Sequence, residues 1–94
     1  MTDTAPGYTH VFSVEARAEY QGLSPQDQAL VERAIGLLEK DPYPDKGTAP
    51  EGPDARRAFI NGDLSLRYGV HRHHLVIAEI NGRADRDFLF GGDR

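Results

Sequence analysis

Two features are missing from this sequence of 94 residues, and each absence excludes a class of protein. It has no cysteine, which rules out disulfides and thiolate chemistry and is typical of a reducing cytoplasm. It has no apolar run long enough to cross a membrane, and its opening residues MTDTAPG lack the basic and apolar regions of a signal peptide. The sequence therefore predicts a soluble, cytoplasmic protein with no membrane partner.

Residues 55–94 contain no lysine, so apart from histidine every basic side chain in this half is an arginine. This half holds seven arginines against five carboxylates, whereas residues 1–54 hold four lysines and arginines against ten carboxylates. The planar guanidinium group suits phosphate, so the basic half favours an anionic partner. The net charge of −4 argues against indiscriminate binding to nucleic acid.

The stretch 63–80, DLSLRYGVHRHHLVIAEI, predicts the centre of the fold. Its first half alternates apolar and polar residues, as a strand with one buried face does, while LVIA at 75–78 is apolar on both faces and predicts a central strand. Asn61 and Gly62 predict a hairpin turn after another strand at 57–61, because both turn positions need positive φ. Three antiparallel strands in series are expected.

The N-terminal half predicts a strand and two helices. A strand at 8–13 precedes a helix at 14–22, which Ser13 caps, and Ser24 and Pro25 begin a longer helix that Asp41 ends before a proline. We expect an α+β fold, with this strand and both helices on one face of a small antiparallel sheet. The predicted contacts join Leu30, Ala34, Leu37 and Leu38 of the helix to Leu64, Leu66, Tyr68 and Val70 of the sheet.

One small domain is expected, over residues 8–90 after a flexible terminus at 1–7. A long surface loop at 41–55 contains four prolines, and residues 87–90 predict a short last strand. A two-residue turn at Arg72 and His73 would place His71 opposite His74. Strict alternation would also put Val76, Ala78 and Ile80 on the face of Arg67.

Four segments in this order resemble the RelE/ParE superfamily of toxins from bacterial toxin–antitoxin pairs. They are VFSVEA at 11–16, LSP at 23–25, LLEKDP at 37–42, and LRYGV at 66–70 followed by an apolar strand and an arginine-containing tail. The resemblance covers residues 9–88. It implies helices on one sheet face, a partly open second face, and an antitoxin that wraps the protein.

The resemblance also implies one of two activities. RelE-like members cut messenger RNA in the decoding site of the ribosome, whereas ParE-like members poison DNA gyrase without chemistry of their own. A third alternative is a non-catalytic interaction module that keeps the fold. The RelE-like endoribonuclease is the leading interpretation, because the cationic residues concentrate where an RNA site would lie, and no cofactor is expected.

RNA cleavage of this kind needs a base for the ribose 2′-hydroxyl, cations for the charge on phosphorus, and an acid for the leaving oxygen. Arg67 is the candidate cation, on the strand face opposite the helices. His71 and His74 are candidates for base or acid, because imidazole titrates near neutrality. A metal site on this histidine cluster is not expected, and no carboxylate nearby in the sequence completes an obvious site.

The resemblance adds further candidates outside the central strands. Arg83 and Arg86 lie where RelE-like toxins carry a catalytic arginine, but Ser65 and Phe88 stand where such toxins have an arginine and a terminal acid or base. RNA contacts are expected from Lys46, in the loop, and from Arg56 and Arg57. Because neighbouring strand residues point to opposite faces, only one of that arginine pair is expected to face RNA.

Overall fold

The computed structural model describes residues 7–81, in which two helices lie on one face of a five-stranded sheet. The elements, in chain order, are β1 (Thr9–Phe12), α1 (Val14–Gln21), α2 (Pro25–Lys40), β2 (Thr48–Pro50), β3 (Arg56–Asn61), β4 (Leu64–His71) and β5 (His74–Asn81). The sheet order is β1-β5-β4-β3-β2. The predicted α+β fold is confirmed. The predicted strand at 87–90 lies outside the described residues.

The two helices begin where the capping residues predicted. The Ser13 hydroxyl accepts a hydrogen bond from the Ala16 amide at 3.0 Å, and the Ser24 hydroxyl accepts one from the Asp27 amide at 3.2 Å. Each serine satisfies an amide that has no partner within its own helix. No helix within residues 7–81 is long and apolar enough to span a membrane.

The sheet contains the predicted antiparallel series and two additions. Strands β3, β4 and β5 pair antiparallel, and the turn at Arg72 and His73 sets His71 opposite His74 as predicted. Strand β1 pairs parallel with β5, so the sheet is mixed. The loop predicted at 41–55 contains the short edge strand β2, which pairs with β3. The pairing of β1 makes β5 an interior strand, as its apolar run indicated.

A β-bulge in β5 changes which side chains share a face. Tyr68 pairs with Ile77, but Arg67 pairs with Glu79, so Ala78 is an extra residue opposite β4. Strict alternation is broken there, and Ile80 points into the core with 3% of its surface exposed. The prediction that Ile80 shares the face of Arg67 is therefore wrong. Glu79 takes that place instead.

Side chains from the two ends of α1 hold this bulge in place: Ser13, which caps its start, and Glu19, in its last turn. The Ser13 hydroxyl donates a hydrogen bond to the carbonyl of Ala78 at 2.9 Å, and the Glu19 carboxylate accepts one from the amide of Ile80 at 2.8 Å. A bulge leaves backbone groups without ladder partners, and both of these groups are satisfied by side chains. The first helix thus fixes the register of the interior strand.

The core lies between the sheet and the helices. Its fully buried side chains include Leu66, Tyr68, Leu75 and Ile77 from the sheet and Val31 from α2. Helix α2 buries Val31, Ile35 and Leu38, whereas Leu37 is 63% exposed. The predicted packing of Leu37 on the sheet is therefore wrong, because the buried stripe runs at positions i, i+4 and i+7 from Val31 and Leu37 lies off it.

Candidate functional site

The sheet face opposite the helices carries a row of charged residues. We call this surface the open face and define it by Arg57, Ser65, Arg67, Gly69 and Glu79. The strand registers place Arg57 opposite Arg67, and Arg67 opposite Glu79, in one line across β3, β4 and β5. Directly opposed residues have Cβ atoms about 4.5–5.5 Å apart, so two guanidinium groups and one carboxylate are neighbours.

Arg57 is held firmly within this row. Its Nε donates to the Glu51 carboxylate at 2.9 Å, its Nη1 to the Ser65 hydroxyl at 3.0 Å, and its Nη2 to Oε1 of Glu79 at 3.4 Å. Its side chain is only 16% exposed. With three partners around one planar group, Arg57 sets the positions of Ser65 and Glu79 on the open face.

Arg67 is held more loosely and faces solvent. Its Nη2 lies 3.6 Å from Oε1 of Glu79, and its side chain is 41% exposed. An exposed ion pair of this kind contributes little free energy, typically about 0–1 kcal/mol. The guanidinium of Arg67 can therefore leave Glu79 for an incoming phosphate at small cost.

Glu79 and Glu51 are site residues that the sequence analysis missed. The bulge brings the Glu79 carboxylate between two arginines, and Glu51 reaches Arg57 from the segment that joins β2 to β3. Glu79 was visible in the sequence as the only carboxylate in β5. The sheet face on which Glu79 lies could not be predicted, because regular alternation from Val76 would have turned its side chain toward the helices.

The two candidate histidines of the hairpin tip are paired with each other. His71 lies opposite His74 at the β4–β5 turn, and both are exposed. Four residues separate His71 from Arg67, which is about 13 Å along a strand. The structure therefore brings the imidazoles together but places them well along the strand from the charged row. Among residues 7–81 no three potential ligands are grouped to hold a metal ion.

The other predicted residues lie away from the open face or outside the described part of the chain. Arg56 pairs with Tyr68 and so faces the helix side, where its Nη2 donates to the Thr48 hydroxyl at 2.8 Å. Its guanidinium carbon lies 5.6 Å from the centre of the Tyr43 ring. Arg57 is thus the member of the pair that shares a face with Arg67. Arg83, Arg86 and Phe88 lie outside residues 7–81.

The segment between β2 and β3 crosses one end of the open face. A Cβ atom built on Gly69 would lie 3.0 Å from the carbonyl oxygen of Asp54, which is closer than side chains normally approach backbone. Glycine at this position lets the segment lie directly on β4. The same segment carries Glu51 toward Arg57, so it borders the charged row.

A second surface feature is an apolar groove between α2 and β3, of about 640 Å³. We call it the α2 groove; its apolar lining includes Leu30, Ala34, Leu37, Leu38, Pro44 and Ile60. Arg33, Lys40 and Lys46 also line it, and Asp41 is the one carboxylate among its described lining residues. An exposed apolar surface with a charged border is typical of a protein–protein contact. This arrangement places Lys46 at the groove and not on the open face.

Among known proteins, the chain is similar to solved structures of toxins and of toxin–antitoxin complexes. No protein-family model and no curated protein sequence matches the chain. A chain of the RelBE2 toxin–antitoxin complex from Mycobacterium tuberculosis is similar, with a TM-score of 0.68, 26% identity, and coverage of 83% of this chain and 100% of that one. The isolated RelE toxin of E. coli is similar with a TM-score of 0.72 and 17% identity, over 85% of this chain and 87% of that one.

An archaeal structure extends the similarity. A chain of the RelE–RelB complex from Pyrococcus horikoshii has a TM-score of 0.69 and 17% identity, over 86% of this chain and 100% of that one. The two comparisons at 17% identity establish the shared fold, and the Mycobacterium tuberculosis chain adds sequence similarity over its whole length. The chain therefore has the fold of the RelE-like toxins, and these similarities support a RelE-superfamily toxin of a type II toxin–antitoxin system.

Proposed function

We propose that this protein is a toxin that cleaves messenger RNA bound to the ribosome, and that an antitoxin holds it inactive. The observation that carries the proposal is the row of Arg57, Arg67 and Glu79 on the sheet face opposite α1 and α2. Solvent-facing arginine on a rigid sheet suits the phosphodiester backbone of RNA. The sequence resemblance to RelE-like toxins, which implies cleavage of messenger RNA in the decoding site, favours messenger RNA over other nucleic acids.

The open face supplies the cations that cleavage by the ribose 2′-hydroxyl requires. Arg67 would contact the scissile phosphate and stabilise the charge that grows on its oxygens, while Arg57 fixes the surroundings. Arg83 and Arg86 are proposed as further catalytic cations. His71 and His74 are proposed as acid or base groups at the hairpin tip.

Lys46 and Arg56 are proposed as peripheral RNA contacts. Both lie off the open face, so they would meet RNA only beyond the scissile position. Ser65, which stands where RelE-like toxins carry an arginine, accepts a hydrogen bond from Arg57. Arg57 thereby brings a cation close to that position from the neighbouring strand.

The α2 groove supports the antitoxin part of the proposal. Structures of RelE–RelB and RelBE2 are complexes of toxin with antitoxin. The groove combines an apolar floor with the cations of Arg33, Lys40 and Lys46, so it suits an amphipathic segment that carries acidic side chains beside its apolar ones.

The test of the cleavage activity is a comparison of wild type, Arg67→Ala and Arg17→Ala on ribosomes programmed with messenger RNA. Losing one positioned donor to a transition-state oxyanion typically lowers the rate about 10²- to 10³-fold, so Arg67→Ala should lose most cleavage. Arg17 is exposed on α1, on the helix side, and provides a matched loss of one arginine. Its variant should cleave as wild type does.

Background cleavage from all three proteins would contradict the ribonuclease proposal. A gyrase supercoiling assay on the same preparations then distinguishes the remaining alternatives. Inhibition of supercoiling would indicate a ParE-like gyrase inhibitor, and no effect in either assay would indicate a non-catalytic binding module. Co-purification with the product of an adjacent small gene tests the antitoxin partner separately.

A further inference from the structure

The carboxylate of Glu79 has surroundings that differ from those of an ordinary surface acid. It lies between the two arginines of the open face, with Arg57 Nη2 at 3.4 Å and Arg67 Nη2 at 3.6 Å. Both contacts use Oε1, and within residues 7–81 no hydrogen bond engages Oε2. Its side chain is 34% exposed, so the carboxylate group is partly open to solvent on the open face.

We propose that Glu79 is the general base of this site, taking the proton from the ribose 2′-hydroxyl of the RNA. This inference rests on the proposed ribonuclease function. The base must be within hydrogen-bond distance, about 2.6–3.2 Å, of the hydroxyl while the cation contacts the phosphate next to it. Glu79 is the carboxylate directly opposite Arg67, whereas His71 and His74 lie about 13 Å farther along the strand.

The reaction can be written with all atoms accounted for. The 2′-hydroxyl proton moves to Oε2 of Glu79, and the 2′-oxygen forms a bond to the adjacent phosphorus. The bond from phosphorus to the 5′-oxygen breaks, and that oxygen takes a proton from water; the hydroxide left behind takes the proton from Glu79, which restores its carboxylate. The products are a 2′,3′-cyclic phosphate and a 5′-hydroxyl end. Arg67 neutralises the phosphate oxygens throughout, and Arg57 keeps the carboxylate oriented.

An opposite role for Glu79 makes the inference testable. If Glu79 only neutralises the two arginines, it competes with phosphate, and its removal would strengthen RNA binding and speed cleavage. If it is the base, its removal slows cleavage while binding stays equal or becomes tighter, because one negative charge has gone. The two roles therefore predict changes of opposite sign in the rate of cleavage.

The experiment measures single-turnover cleavage of messenger RNA on programmed ribosomes, with the apparent affinity for the ribosome determined in parallel. Glu79→Gln should lower the cleavage rate about 10²-fold or more, at the lower end of general-base effects of 10²–10⁴, with no loss of affinity. Glu15→Gln is the matched control, since Glu15 is an exposed glutamate on α1, on the helix side of the sheet. It lies away from the open face and should cleave as wild type does.

Chemical rescue separates proton transfer from a structural role. Added formate should restore part of the cleavage by Glu79→Ala, because it can occupy the space of the missing carboxylate, and should not restore Arg67→Ala. Cleavage by Glu79→Gln at or above the wild-type rate would overturn the inference, as would a slow Glu79→Ala that formate leaves unchanged. If wild type itself does not cleave, the proposed function fails first, and the inference fails with it.

Discussion

The two faces of the sheet differ in how their side chains are satisfied. On the helix side, Leu66, Tyr68 and Ile77 are fully buried, and Tyr68 directs its one polar group to the carbonyl of Pro42. On the open face, Arg67 and Glu79 remain partly exposed and meet only in a loose ion pair. The first arrangement leaves no group for a ligand, whereas the second leaves the Arg67 guanidinium exposed and able to contact an anion.

This difference indicates which face contributes stability and which contributes binding. Burial of apolar surface stabilises by about 25 cal/mol for each Å² removed from water, whereas exposed ion pairs contribute about 0–1 kcal/mol. Substitutions on the helix side should therefore change the free energy of unfolding. Substitutions of Arg67 or Glu79 should change ligand contacts and leave folding nearly unaffected.

The largest expected effect comes from the core. Leu66→Ala removes a side chain with no exposed surface, so it should lower the free energy of unfolding by about 2–5 kcal/mol in chemical denaturation. Leu37→Ala is the control, because the same change at a side chain that is 63% exposed should cost less than about 0.5 kcal/mol. An equal loss of unfolding free energy in the two variants would contradict the assignment of the buried face.

A smaller effect is expected from the two arginines of the open face. Arg57→Ala removes hydrogen bonds to two carboxylates and to Ser65, so it should cost about 1–3 kcal/mol of unfolding free energy. Arg67→Ala removes one exposed ion pair and should stay within about 0.5 kcal/mol of wild type. Chemical denaturation of both variants measures the difference. A larger loss from Arg67→Ala would show that the open face contributes to folding through that residue.

The smallest expected effect concerns the α2 groove. Leu37→Ala, already expected to be neutral for folding, should weaken binding of the antitoxin about tenfold, because an exposed leucine in a groove is a candidate anchor for a partner. Isothermal titration with the co-expressed antitoxin measures this change. Arg17→Ala serves as the control on α1, away from the groove. Unchanged affinity in Leu37→Ala would remove the groove from the antitoxin interface.

Much of this fold could be predicted because it depends on local chemistry. Serine side chains at 13 and 24 can satisfy helix amides in any fold, so both helix starts were predictable. The alternation through Leu64, Leu66 and Tyr68 fixed the buried face of β4. The same alternation placed Arg67 on the opposite face, so one of the three charged residues of the row could be assigned to its face from the sequence.

The position of Glu79 depended on contacts that no local pattern contains. It faces Arg67 because β5 has a bulge at Ala78, and the bulge exists where Ser13 and Glu19, more than sixty residues away in the chain, satisfy its backbone. Tertiary structure likewise placed β1 parallel to β5 and turned Leu37 outward from the sheet. Sequence alone determined where helices begin and which face of β4 is buried, since neighbouring residues decide both. Only the tertiary structure decided which carboxylate lies beside the arginines. The bulge that turns Glu79 toward them needs hydrogen-bond partners from a helix that is distant in the sequence.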